Sequence, residues 1–490
     1  MFQTRFCALA ARGTAICIVY KTAQFPLTTE RIGHNLDNNY LLSSETAKKL
    51  YKAVGSLPVY DYHCHLSPEE ICIDAPFENI GKLWLEHDHY KWRLMRAYGI
   101  NEEKITGNAD WQEKFYAFAE SIELAAGSPL YHWVQMELSI YFGIDIPLSR
   151  RTAEQIWVTA NTVISQKRLS PRKLIELSNV RYIATTDDIA DSLVHHSALL
   201  EEGYSVTVAP TFRTDKLLLI NNERYFEYIR QLSIAACVDI TNLSSLKEAV
   251  SYRLDFFKEQ GCRFADVGIP FFPDYIGSDM EAEIVFNAAL NGKSIKENEY
   301  LAFLGHMYLF LGNLFYENDI VMQWHLAVER NANRNLFIQK GADSGGDCMG
   351  DIIPIRNITG MLDAINDNGG LPKTILYTLN PAMLEPLSSA AGCFRNVSIG
   401  AAWWFNDHKG GIEQTIETVA HSLHIGRFFG MLTDSRSFLS FARHDYFRRI
   451  LCSMIGKWVE SGEFGGNAEQ LCKDICCGNI ERLLGNNSEV

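Results

Sequence analysis

The sequence predicts a (β/α)8 TIM barrel carrying a helical insertion after its first strand. Three observations point there. Short apolar runs alternate with helical stretches through most of the chain, and they number eight when the stretch around Asp61 is included. A segment of little strand character, Ser67 to Asn179, separates the first run from the second and is far too long for a single crossover helix. Histidines, aspartates and arginines fall at the ends of these runs, where a parallel barrel gathers its functional groups on one face.

The first strand is Val59-Tyr60-Asp61-Tyr62-His63-Cys64-His65. On a strand, residues two apart face the same way, so His63 and His65 project together; on a helix that spacing would separate them. Ahead of it, Ser43-Ser44-Glu45-Thr46 reads as a helix start, and after it Ser67-Pro68-Glu69-Glu70 reads as another with Pro in the first turn. The insertion is rich in aromatic residues at helical spacing, which are core material. It also holds His87-Asp88-His89-Tyr90-Lys91-Trp92-Arg93, dense in titratable groups. The later strands are expected at Arg181–Asp188, Tyr204–Pro210 leading to Arg213, Arg263–Val267 with Asp266, Val321–His325, Thr374–Thr378, Asn396–Gly400 and Phe428–Leu432 leading to Asp434 and Arg436. A doubly wound open sheet is the competing fold, but no glycine-rich phosphate turn follows the first strand. The organisation expected is a leader at 1–40, the barrel start with its first strand at 41–66, the helical insertion at 67–179, and the rest of the barrel with closing helices at 180–490.

Composition narrows the function classes. Hydrophobic residues make up 47% and charged residues 21% of the 490 positions, ordinary for a soluble protein with a large core. A net charge of −14 argues against a general nucleic-acid or membrane-surface role. No apolar run reaches membrane-spanning length. The leader is basic, but Arg12-Gly13 interrupts the apolar core a signal peptide would need. Twelve cysteines show no paired framework and read as reduced thiols of a cytoplasmic protein.

Two histidines and a carboxylate, His63, His65 and Asp434, make a three-ligand set for a divalent metal with open positions. Arg213, Arg330 and Arg436 supply planar forks suited to a carboxylate. Singly, each of these residues has a structural explanation, from helix cap to surface ion pair. The convergence of His63, His65, Arg213, Asp266, His325, Asp434 and Arg436 on strand ends favours a functional site. Gly341-Ala342-Asp343-Ser344-Gly345-Gly346-Asp347 reads as a mobile loop whose acids argue against phosphate binding.

Beyond these patterns, Asp61-Tyr62-His63-Cys64-His65, Asp88–Arg93, Pro129-Leu130-Tyr131-His132-Trp133, Thr185-Thr186-Asp187-Asp188, Leu371–Tyr377, Trp403-Trp404-Phe405-Asn406-Asp407 and Leu432–Phe438 resemble, in order and spacing, the uronate (glucuronate) isomerase family of the amidohydrolase superfamily. The resemblance runs from about Leu41 to about Ile480. It implies a barrel of the metal-dependent hydrolase type, with one divalent metal ion, Zn2+ being expected, on His63, His65 and Asp434. It places the family's other active-site positions on His89, Tyr90, Arg213, Asp266, His325, Arg330 and Arg436. It further implies interconversion of D-glucuronate with D-fructuronate and of D-galacturonate with D-tagaturonate in hexuronate catabolism, with a small-molecule uronate as partner and the oligomeric state open. The chemistry expected is proton transfer through a cis-enediol, with Tyr90 and Asp434 as proton carriers and His89 and His325 orienting oxygens. Two departures stand out: Val267 where relatives carry His, and Ala327 where they carry Gly. A metallohydrolase is the first rival, but the sixth strand ends in Leu379-Asn380-Pro381, without the His that such hydrolases carry there. A catalytically dead barrel is the second, but no ligand or arginine is lost.

Overall fold

The structure, a computed structural model, describes residues 39–485. The leader expected at 1–40 lies outside them except for its last two residues. Chain folding starts with α1 (Glu45–Val54), whose first turn is capped by the Ser44 side chain accepting from the Ala47 N–H. It leads into β1 (Val59–Asp61). Between β1 and the next strand run seven α-helices and one short 3-10 turn, with no strand among them. Two of these matter for the site. In α2 (His89–Tyr98), the Asp88 carboxylate accepts the N–H groups of Tyr90 and Lys91, so the titratable run is a helix N-terminus with His89 and Tyr90 in its first turn. In α3 (Pro129–Phe142), Ser128 caps the start, Pro129 occupies the first turn, and Gly143 at φ 67 ends the helix.

Then come β2 (Val180–Asp188), β3 (Thr207–Arg213), β4 (Phe264–Ile269) and β5 (Val321–Leu326). A small antiparallel hairpin follows, β6 (Val328–Glu329) with β7 (Cys348–Met349), and after it β8 (Thr374–Thr378) and β9 (Val397–Ile399). The main sheet is parallel and orders its seven strands β1-β2-β3-β4-β5-β8-β9. Helices cover its outside, so β5 is buried at every residue, the pattern of a strand packed on both faces. Inside the curl, Tyr62, Tyr182, Phe264 and Tyr377 fill the lumen; Tyr62 and Tyr182 each meet the Phe264 ring, at 6.2 and 6.3 Å. Within this packed floor the buried Gln323 accepts the Tyr377 hydroxyl at 2.8 Å, and the charged side chains gather at the strand ends.

The eighth barrel position differs from expectation. Phe428–Leu432 forms no strand. Its end is nevertheless tied to the first: the Asp434 N–H donates to His63 O (3.1 Å) and the His65 N–H to Ser435 O (3.0 Å). A regular ladder fails because side chains intervene and the backbone bends. Asp61 takes the Thr433 N–H at 2.8 Å and Arg443 donates to the Thr433 carbonyl at 2.7 Å, so side chains hold the groups a strand would pair. Gly430 at φ 71 and Asp434 at φ 45 also leave extended geometry. The fold is thus a (β/α)8 barrel whose last position is an irregular segment held by side chains. The chain closes with α4 (Ala442–Glu460) and shorter helices to Leu483. No helix among the described residues is long and apolar enough to cross a membrane. The ten cysteines among the described residues are unpaired.

Candidate active site

The strand ends build the site. His63 and His65 follow β1 directly, and both reach the same oxygen: His63 Nε2 lies 3.3 Å and His65 Nε2 3.1 Å from Asp434 Oδ1. The other Asp434 oxygen accepts a hydrogen bond from the Trp403 indole at 2.8 Å. Three donor atoms converging this closely, all within 4.8 Å of one another, fit a metal ion. Burial and Arg436 lower the His65 pKa to about 3, with Asp434 only partly opposing, so His65 is a neutral imidazole. Burial alone would raise the Asp434 carboxyl, but the hydrogen bonds from His63 and His65 hold it well below the usual carboxylate range.

A second group gathers behind His63. β3 and β4 pair Arg213 opposite Asp266, and the guanidinium donates to Asp266 Oδ2 at 3.0 Å. Asp215 lies 3.1 Å from Arg213 Nε. His325, near the end of β5, stacks on Tyr377 at 4.7 Å and approaches the His63 ring at 4.6 Å. Burial pushes its pKa well below the ordinary histidine value, with His63 adding to the effect, so it is neutral. His63, Asp266 and His325 form a second convergent set of ligand-type atoms sharing His63 with the first. Asp266 gives one oxygen to Arg213, as Asp434 gives one to Trp403, so each set keeps one carboxylate oxygen for a cation.

One cavity of about 760 Å³ collects these groups at the barrel mouth. His63, His65, His89, Arg213, His325, Arg330, Asp434 and Arg436 line it, together with Val267. Asp266 is fully buried beneath Arg213. Tyr90 is not on the cavity wall: its ring stacks on His89 at 5.1 Å and its hydroxyl donates to Asp407 Oδ2 at 3.1 Å. Burial, opposed by Arg443, pushes the Asp407 carboxyl up to about 7.

The sequence did not single out several neighbours. Trp403 stood inside a recognised motif without a role, yet it orients Asp434. Asp343 and Asp347, read as loop acids, each face a cavity arginine: Arg436 Nη2 lies 3.2 Å from Asp343 and Arg330 Nη1 2.8 Å from Asp347. Charged pairs between distant segments leave no local pattern to read.

A family model described as glucuronate isomerase matches residues 32–484. A uronate isomerase of Caldanaerobacter subterraneus subsp. tengcongensis is 44% identical over 461 residues, covering 92% of this chain and 99% of that protein. The crystal structure of uronate isomerase from Thermotoga maritima superposes with a TM-score of 0.88 at 32% identity, covering 92% of this chain and 99% of that one. Glucuronate isomerase from Caulobacter crescentus superposes at 0.86 with 25% identity, covering 92% and 97%. With its barrel, its strand-end triad and its matched length, the chain belongs to the glucuronate (uronate) isomerase family of aldose–ketose isomerases.

Proposed function

We propose that this enzyme interconverts D-glucuronate with D-fructuronate and D-galacturonate with D-tagaturonate through a cis-enediol. The observation that carries the reading is one cavity lined by the His63–His65–Asp434 triad and by three arginines. An open-chain uronate needs both features: a carboxylate at C6 to be gripped, and oxygens at C1 and C2 on which negative charge develops when the C2 proton leaves. His63, His65 and Asp434 would hold a single divalent ion, Zn2+ by the preference of this ligand set, which would supply Lewis-acid stabilisation of that charge.

The remaining roles fall to the chain. Arg330 and Arg436 sit at the mouth and bind the carboxylate by paired, charge-assisted hydrogen bonds. Arg213 lies deeper, fixed by Asp266 and Asp215, and presents positive charge toward the developing enediolate. The Asp434 carboxylate takes the proton at C2 and returns it at C1. His89 and His325 orient substrate oxygens as neutral imidazoles; burial and Arg436 hold His89 at about 4. Tyr90, whose hydroxyl is committed to Asp407, supports His89 by stacking in this conformation. The unpaired described cysteines support a cytoplasmic enzyme, and the acidic net charge argues against a nucleic-acid or membrane-surface role.

The test is direct. Purified enzyme is incubated with each uronate and followed by carbon NMR. Appearance of the ketose supports the reading; folded, metal-loaded protein that yields no ketose from either substrate overturns it.

A further inference from the structure

Asp434 stands at φ 45, in the left-handed region that a residue with a side chain rarely adopts. Such a residue keeps its place only where its surroundings over-determine it. The surroundings here are unusual because they grip the residue before it. Thr433 is held on three sides: its N–H donates to Asp61 Oδ1 at 2.8 Å, its hydroxyl to Asp61 Oδ2 at 2.5 Å, and its carbonyl accepts from Arg443 Nη1 at 2.7 Å.

Arg443 itself is fixed by groups from elsewhere in the chain. It is 1% exposed. Its guanidinium lies 3.9 Å from the centre of the Trp133 ring, on α3, and 4.8 Å from that of Tyr90, on α2. Asp407 faces it at 3.7 Å and accepts the Tyr90 hydroxyl at 3.1 Å. One planar cation therefore joins the helices between β1 and β2, the loop after β9 and the backbone one residue before a ligand. Only a guanidinium can lie against the two rings and still donate in its own plane; an ammonium keeps the charge and loses the plane.

We propose that Arg443 is a positioning residue for Asp434, clamping the Thr433 carbonyl so that the carboxylate meets His63 and His65, with Asp407 and Tyr90 holding the clamp. This rests on the reading that His63, His65 and Asp434 bind a cation. The affinity of that site then depends on a side chain that never touches the ion, as outer-shell partners of metal sites do.

The experiment titrates chelator-treated, full-length enzyme with Zn2+ against a chromophoric chelator and records the melting temperature of each metal-free protein. Arg443→Lys should weaken Zn2+ binding by roughly 10- to 100-fold. Arg448→Lys is the control: Arg448 lies on the same helix, is also buried, and donates to the carbonyls of Leu57 and Pro58, each at 2.8 Å. It should lower the melting temperature and leave Zn2+ affinity unchanged. Should Arg443→Lys not fold, Asp407→Asn, which removes the charge facing the clamp, should still weaken Zn2+ binding. Folded Arg443→Lys protein with wild-type Zn2+ affinity overturns the clamp. So does Arg448→Lys weakening Zn2+ to the same degree, which would make the effect one of general stability. Wild-type enzyme that binds no stoichiometric Zn2+ overturns the metal reading beneath it.

Discussion

Arg436 points a guanidinium nitrogen at Asp343 across 3.2 Å, so an arginine suited to a substrate carboxylate already faces one from its own chain. Arg330 has the same relationship with Asp347 at 2.8 Å, and both acids come from the loop Gly341–Asp347. A uronate entering this cavity exchanges one carboxylate for another. Asp343 is the more exposed of the two acids and the easier to displace. Asp343→Asn should therefore lower KM for uronates, by up to about fivefold, the scale of an exposed ion pair. Steady-state kinetics decide this; a raised KM would show that Asp343 assists binding.

Removing the arginine should act in the opposite direction and more strongly. A charge-assisted pair with a carboxylate contributes roughly 1.5–3 kcal/mol, so Arg436→Met should raise KM by about 10- to 150-fold. The fall in kcat should be smaller if Arg436 grips the end of the substrate remote from C1 and C2. An unchanged KM would remove Arg436 from the carboxylate site.

The triad predicts metal loss without unfolding. His63→Ala should reduce bound divalent metal while the far-UV circular dichroism stays that of the barrel, since the ligand sits above the packed lumen. Metal analysis at full occupancy would exclude His63 as a ligand.

The proton route predicts an isotope pattern. Turnover in D2O should place deuterium at C1 of the ketose, at least in part, because a carboxylate that carries the proton exchanges it with solvent. Asp434→Asn removes both a negative ligand and the base, and should reduce kcat by a factor of roughly 10² or more. Complete retention of the substrate hydrogen at C1 would point to a hydride shift or a fully shielded transfer, and near-normal kcat in the variant would exclude the base role.

Asp187 predicts a pH signature in stability. Burial pushes its carboxyl from 3.8 up to about 7, against the opposing hydrogen bond from Thr185. The folded protein thus binds this proton more tightly than the unfolded chain, and the stability it contributes is lost as pH rises between those values. His196 beside it is lowered by burial to about 4 and has the opposite slope, which is common to wild type and variant. Asp187→Asn stays neutral throughout, so its stability relative to wild type should climb from about pH 4 to about pH 8, by on the order of a few kcal/mol. Parallel melting curves across that range would place Asp187 outside the titration.

Ala327 shows how a single residue can be read from a resemblance and explained only by structure. Relatives were expected to carry Gly there, and the backbone stands at φ 61, where Gly is free of strain and Ala is not. Its N–H donates to Ile269 O at 3.0 Å and its carbonyl accepts from Gly350 at 2.8 Å, so the chain holds the turn regardless.

Periodic and local features were legible in the residues alone. Apolar runs between helical stretches marked seven parallel strands, Ser44 and Pro68 marked helix starts, and the alternation of a strand made His63 and His65 neighbours. Those signals survive because they depend on residues a few positions apart. The tertiary structure decided what depends on partners far apart. Asp61 reaches Thr433 across 372 positions and, with Arg443, replaces an eighth ladder by side-chain bonds. The Tyr90 hydroxyl turns to Asp407, 317 positions away, instead of into the cavity. Arg330 and Arg436 meet loop acids that looked unrelated to them. A buried polar group must find a partner, but which one it finds is set by the packing of the whole barrel, and no local pattern records that choice.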